Sequence, residues 1–234
     1  MVLPRSARYR SGNMARQARH DPVVEAWSRR CRIHPENPQK RLLDAAAGLL
    51  DRGGVLAVPT DTSYALICGL DDREGLDKLR RIRQLDSKHL MSLVCRDLSE
   101  LASYARVDNT QYRLLKMATP GPFTFILHAS KEVPRRIVNH PKRKTIGLRV
   151  PAHLMLQELI ACRGTPLLAT TLILPGDDNP LHDVADIQDQ LGGQIEGIIE
   201  SGTCPGGLST VIDLSGDVPE VQRQGLGDAT ALGL

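Results

Sequence analysis

Aromatic residues are scarce. Trp27, four tyrosines and two phenylalanines make up 3% of the 234 residues. A platform of rings for stacking single-stranded nucleic acid is therefore poorly supplied, and the core must be built from Leu, Ile, Val and Ala. No run of 18 or more apolar residues occurs, so no transmembrane helix is expected. The N-terminus lacks the apolar stretch of about 7–15 residues that marks a secretory signal. The five cysteines are odd in number, widely spaced and without a C-x-x-C. That pattern predicts reduced thiols of a cytoplasmic protein, not a disulfide framework or a zinc site. The seven histidines form no H-x-x-x-H pair, so no protein-bound metal is expected, and a divalent ion would arrive with a phosphate. The G-x-G-x-x-G, Walker A and G-x-S-x-G motifs are all missing.

What remains is an ordinary globular composition, 41% hydrophobic and 24% charged, long enough to bury a sizeable core. The net charge of +3 conceals an asymmetry: residues 1–32 carry eight Arg against Asp21 and Glu25, or +6, and the rest of the chain is −3. Residues 1–32 show no sustained apolar periodicity and read as a basic, disordered extension. Such an arm also suits nucleic acid or a membrane surface held by charge, and an Arg-rich, acid-poor leader is one form of organelle transit peptide.

The body, residues 33–234, reads as one domain. Asn37 is placed to cap a helix with Pro38 in its first turn, and Leu42, Leu43, Ala46, Leu49 and Leu50 repeat at helical spacing up to Gly53-Gly54. Further helices are expected at Leu76–Ile82, Leu98–Ala105, Gln111–Ala118, Met155–Ile160 and Val184–Leu191. Strands are expected at Val55–Pro59, Tyr64–Cys68, Leu90–Cys95, Phe123–Leu127, Thr145–Val150, Pro166–Thr170, Gly197–Glu200, Ser209–Leu214 and Glu220–Arg223. The two kinds alternate without a regular βαβ rhythm, which points to an α/β or α+β fold on a mixed sheet.

Several segments could carry chemistry. In Thr60-Asp61-Thr62-Ser63 an apolar strand empties into hydroxyls and a carboxylate, the place where α/β proteins hold ligands; a turn bonded to its own backbone is the plain alternative. Thr170-Thr171 ends a later strand in the same way. Arg80, Arg81, Arg83 and Lys88 gather near a helix C-terminus, where cations are favoured for structural reasons alone, although Arg also suits bidentate phosphate contacts. Lys131, Arg135, Arg136, Lys142, Arg143, Lys144 and Arg149 stand against the single acid Glu132 and read as a footprint for a polyanion. Arg149, set between Leu148 and Val150 in a strand, needs a partner or a cleft.

Four segments, in this order, resemble the YrdC/YciO-like family, the threonylcarbamoyl-AMP synthase superfamily. They are Gly54–Thr62, Thr119–Phe125, Ile146–Pro151 and Pro166–Gly176. The likeness spans about Ile33 to Asp228 and is closest to the YciO branch, through Ile33–Pro38, Ile82–Leu85, Cys95–Leu101 and Lys131–Arg136. It implies a single domain with a twisted mixed sheet and flanking helices around a concave basic cavity. The family's enzymes take ATP, L-threonine and bicarbonate to threonylcarbamoyl-AMP and pyrophosphate for tRNA modification, and members bind double-stranded RNA. Carried over residue by residue, the resemblance implies substrate or nucleotide contacts for Thr60, Thr62, Arg83, Thr124, Arg149 and Thr171. ATP with magnesium would be the substrate complex. Lys142, Arg143 and Lys144 are the candidate RNA contacts.

Two positions depart from the synthase pattern. A Lys-x-Arg pair becomes Arg83 and Leu85, and a Ser-x-Asn pair becomes Thr171 and Ile173. The family lysine that follows falls at Lys88 or His89. Leu85 cannot pair with a phosphate, and Ile173 cannot orient one. Each lost charge-assisted bond is worth about 1.5–3 kcal/mol. Two readings follow: a protein that holds double-stranded RNA or a nucleotide in a basic cavity, or a threonylcarbamoyl-AMP synthase working through Thr60, Arg83, Arg149 and Thr171.

Overall fold

In a computed structural model, which describes residues 30–85, 91–138 and 144–234, ten strands join in one mixed sheet. They are β1 (Arg30–Arg32), β2 (Leu56–Pro59), β3 (Tyr64–Gly69), β4 (Ser92–Val94), β5 (Phe123–His128), β6 (Thr145–Arg149), β7 (Leu167–Thr171), β8 (Gly197–Glu200), β9 (Thr210–Asp213) and β10 (Glu220–Arg223). Their order across the sheet is β1-β8-β2-β3-β7-β4-β6-β5-β9-β10. The pairs β1/β8, β2/β8, β4/β6 and β5/β9 are parallel and the others antiparallel. The mixed α/β sheet expected from the sequence is present.

Among the described residues six helices flank it: α1 (Lys40–Asp51), α2 (Arg73–Arg83), α3 (Leu98–Tyr104), α4 (Asn109–Ala118), α5 (Leu154–Arg163) and α6 (Val184–Leu191). The apolar repeats that predicted them face inward. Leu43, Ala46, Ala47 and Leu50 of α1 and Met155, Leu156, Leu159 and Ile160 of α5 pack with Leu56, Val58, Ala65, Ile67, Val94, Leu167, Ala169 and Ile199 on one face of the sheet. Each large apolar side chain so buried contributes roughly 1.5–3 kcal/mol. The other face, with α2, α3, α4 and α6, forms the larger core around Leu66, Phe125, Ile146, Leu148 and Leu168. The first cluster draws nothing from β5, β6 or β9. On that half of the sheet, no helix of the described residues packs over the face shared with α1 and α5.

Local chemistry explains two differences from the sequence reading. Asn37 does not cap α1; the helix begins after Gln39, whose Oε1 accepts from the His34 N–H, while His34 Nδ1 accepts from the Glu36 and Asn37 N–H groups. These side-chain bonds hold residues 34–39 in a turn that competes with helix. The sheet starts at Arg30, because Arg30–Arg32 pair in parallel with β8. Arg30 and Arg32 both bridge to Glu200 at 2.8 and 2.9 Å. The rest of the basic extension, with Lys88, His89, Lys142 and Arg143, lies outside the described residues.

Candidate functional site

This half-face carries a cavity of about 470 Å³. Its floor follows from sheet register. Ser92 lies opposite both Ala169 and Gly147, Gly147 opposite Ile126, and Ala65 opposite Thr171. Four strands in a row thus present Ala169, Ser92, Gly147 and Ile126, and three of these have little or no side chain. At Gly147 an added Cβ would sit 3.0 Å from Ser92 Oγ, so even alanine would crowd the floor.

Three arginines reach this hollow: Arg83 from the end of α2, Arg149 from the end of β6 and Arg223 from β10. Among the described residues no Asp or Glu lines it. The α2 terminus explains the first. Gln84 adopts φ 48°, its N–H bonds the Arg81 carbonyl, and the Leu85 N–H reaches back to the Arg80 carbonyl at 2.9 Å. This closing turn favours an apolar residue just past the helix, and Leu85 packs against the larger core. Arg83 is left facing the cavity, its Nε buried without an acceptor among the described residues. Burial lowers the Arg83 pKa from its ordinary value, yet a guanidinium stays protonated in water. For Arg223 burial does the same, and the nearby charge of Arg149 adds to it. Two like charges in one hollow favour an anion between them.

Arg149 is 8% exposed. Its Nη2 donates to Asp61 Oδ1 at 2.5 Å and to Thr62 Oγ1 at 2.9 Å. Thr62 Oγ1 in turn meets Thr60 Oγ1 at 3.0 Å, and Thr60 Oγ1 donates to the Ser63 carbonyl at 2.7 Å. The turn after β2 is therefore both of the things the sequence left open, a self-bonded turn and a wall of the cavity. On the far wall Thr124 Oγ1 and Ser209 Oγ share a hydrogen bond of 2.8 Å, and Arg223 Nη2 donates to the Ser209 carbonyl at 2.9 Å.

Of the residues singled out from the sequence, Thr60, Arg83, Thr124, Arg149 and Thr171 line one cavity. Thr62 does not line it; its hydroxyl is used by Arg149 and Thr60. The described cations of the Lys131–Arg149 run do not all face the cavity. Arg149 ends β6 at the cavity, while Lys144 precedes the strand at its other end, about 16 Å away at ~3.3 Å per residue. Arg136 turns away as well, donating to the Leu70 carbonyl at 2.9 Å. Of the two departures, Ile173 lines the cavity and Leu85 does not. The sequence reading missed Ser92, Gly147, Ser209 and Arg223. No helix among the described residues is long and apolar enough to cross a membrane.

Fold and site define a mixed-sheet α/β protein with an arginine-lined cavity on one face of the sheet. The family model named Sua5_yciO_yrdC, described as "Telomere recombination", matches residues 48–225, and the chain belongs to that family. It is 47% identical over 196 residues to YciO of Escherichia coli strain K12, covering 84% of this chain and 95% of that protein. The crystal structure of E. coli YciO superposes with a TM-score of 0.84 at 46% identity, over 88% of this chain and 99% of that one. A threonylcarbamoyl-AMP synthase of Bos taurus is 30% identical over 190 residues, 76% of this chain and 67% of that protein. The P. abyssi Sua5 structure in complex with L-threonine matches with a TM-score of 0.77 at 26% identity, covering 85% of this chain and 58% of that one.

Proposed function

We propose that the cavity binds a nucleoside phosphate, with ATP as its reference ligand. One observation carries this reading: three arginines converge on a hollow that no carboxylate of the described residues lines, and two of them, Arg83 and Arg149, keep a buried Nε–H that no atom of the described residues accepts. A buried donor without an acceptor costs about 1–3 kcal/mol, a cost that a phosphate oxygen would remove. The volume of about 470 Å³ falls in the class of small-molecule sites, roughly 300–1,000 Å³. It admits a mononucleotide and not a double helix. Magnesium would come as the counter-ion of the phosphates. The hydroxyls of Thr60, Thr124, Thr171 and Ser209 and the small floor would take the uncharged parts.

The synthase reading is the second, favoured by the 30% identity to a threonylcarbamoyl-AMP synthase and by the likeness to an L-threonine complex. The lining offers no general base: among the described residues it includes no Asp, Glu, His, Lys or Cys. Any transfer here would rest on positioning and charge alone, with Ile173 where the synthase pattern has an amide. Duplex RNA would have to lie elsewhere, on exposed cations such as Lys131, Arg135 and Lys144.

Equilibrium dialysis against ATP with magnesium tests the first reading, and saturable one-to-one binding is expected. Pyrophosphate release with ATP, L-threonine and bicarbonate tests the second. Absence of ATP binding at millimolar ligand refutes the first. Absence of turnover alongside an active relative refutes the second.

A further inference from the structure

Gly147 is a glycine that its own backbone does not require. Its φ lies outside the left-handed region. It stands in the middle of β6 between Ile146 and Leu148, both wholly buried in the core of the other face. Glycine weakens a strand interior, and there it often marks a place where another group comes close to the backbone. Its neighbours across the sheet, Ser92 on β4 and Ala169 on β7, are small as well. Three such residues abreast, with strands about 4.8 Å apart, leave a low strip roughly 10 Å wide in the cavity floor.

The chemistry of this strip differs from that of the walls. Strand β4 is paired on both sides, with β7 and β6, and β6 is paired with β4 and β5. The peptide groups of the strip are therefore spent on the sheet's own hydrogen bonds. Its three residues carry no charge, and Ser92 Oγ is their one polar side-chain atom. A phosphate set there would lose its water and gain almost no donors; it finds donors at Arg83, Arg149 and Arg223. The face of an aromatic ring has no hydrogen bonds to lose and gains the contact area. We infer that Gly147 is a specificity-determining residue: the base of the bound nucleotide lies on the strip of Ala169, Ser92 and Gly147, and the missing side chain at 147 leaves the room for it.

The inference rests on the nucleotide reading, and the test separates the two. Calorimetric titration of the full chain compares ATP with inorganic tripolyphosphate, which has the phosphates and no base, both with magnesium. Gly147→Ala should bind ATP roughly fivefold or more weakly than the parent, the effect of one methyl forced into a close contact, and should bind tripolyphosphate unchanged. Crowding within the protein is controlled separately. The added Cβ meets Ser92 Oγ at 3.0 Å, but with that oxygen removed the next atoms are the Met91 carbonyl oxygen at 3.4 Å and Ser92 Cα at 3.6 Å, which are ordinary contacts. The loss for ATP should therefore persist when Ser92→Ala is compared with Ser92→Ala plus Gly147→Ala. Unchanged ATP affinity in Gly147→Ala, equal losses for the two ligands, or a loss that vanishes in the Ser92→Ala background overturns the inference and leaves the nucleotide reading intact. A parent that binds no ATP removes both. One measurement needs no variant: NMR of the full chain with ATP should show nuclear Overhauser contacts between the Gly147 α protons and the protons of the base. Contacts from Gly147 to the ribose alone, or none while ATP is bound, overturn the inference.

Discussion

Replacing Arg149 by methionine keeps the aliphatic stem and removes the charge. Asp61, 9% exposed in its side chain, would keep only the bond from the Ala152 N–H. Stranding one partner of a buried ion pair costs about 3–5 kcal/mol. The cavity gives the Arg149 side water access, so the lower end, about 3 kcal/mol, is the better figure. For a chain of this length, with about 2–4 °C lost per kcal/mol, the melting temperature should fall by roughly 6–12 °C. The cause can be separated from lost packing. Adding Asp61→Asn removes the stranded charge, so Arg149→Met with Asp61→Asn should be more stable than Arg149→Met alone, by about 1.5 kcal/mol or more in a double-mutant cycle. Urea unfolding of the four proteins measures this. If Arg149→Met costs under about 1 kcal/mol, or if the double variant shows the plain sum of the single losses, the pair does not hold the two turns together.

Three further outcomes are expected. Ile173→Asn, inside the cavity, should raise ATP affinity severalfold in the same calorimetric titration, with little change in melting temperature. Leu85→Arg should instead cost about 1 kcal/mol in urea unfolding and gain no affinity, because a half-buried leucine leaves the larger core. Burial lowers the His153 pKa below 6.5, partly offset by its bond with the Ser201 carbonyl. The unfolded chain therefore takes up this proton first, so stability is whole above about pH 6.5 and falls as pH drops below it. His153→Gln should flatten the slope of urea midpoint against pH between 6.5 and 5.

Much of the fold is legible because its elements carry strong local signals. The leucine and alanine stripe of α1, the apolar runs of β2 and β3, and Pro120-Gly121-Pro122 just before β5 each announce their element. The closing turn of α2 is less plain, since Gln84 at φ 48° occupies a conformation usually left to glycine. Strand β1 carries no signal at all: Arg30-Cys31-Arg32 is three residues, two of them charged, ordered by parallel pairing with β8 and by Glu200.

The site divides along the same line. Arg149 stands out because a charge within an apolar strand demands a partner. Arg223 sits in Glu-Val-Gln-Arg, which reads as a polar edge strand, and only the β9/β10 register, with Val211 beside it, turns it to the cavity. Ser92, Gly147 and Ala169 are unremarked small residues until the order β7-β4-β6 brings them side by side. Lys144 and Arg149 stand close in the sequence, and β6 places them at its two ends.

The central claim is that Arg83, Arg149 and Arg223 make this cavity an oxyanion site for a nucleotide. Its most direct measurement is titration of the full chain with ATP and magnesium, repeated for Arg83→Ala and Arg223→Ala, two arginines outside the Asp61 ion pair. The account predicts one site per chain in the parent and affinity weakened roughly tenfold or more in each variant, with melting temperatures close to the parent's. ATP binding that is absent from the parent, or unchanged in both variants, would contradict it.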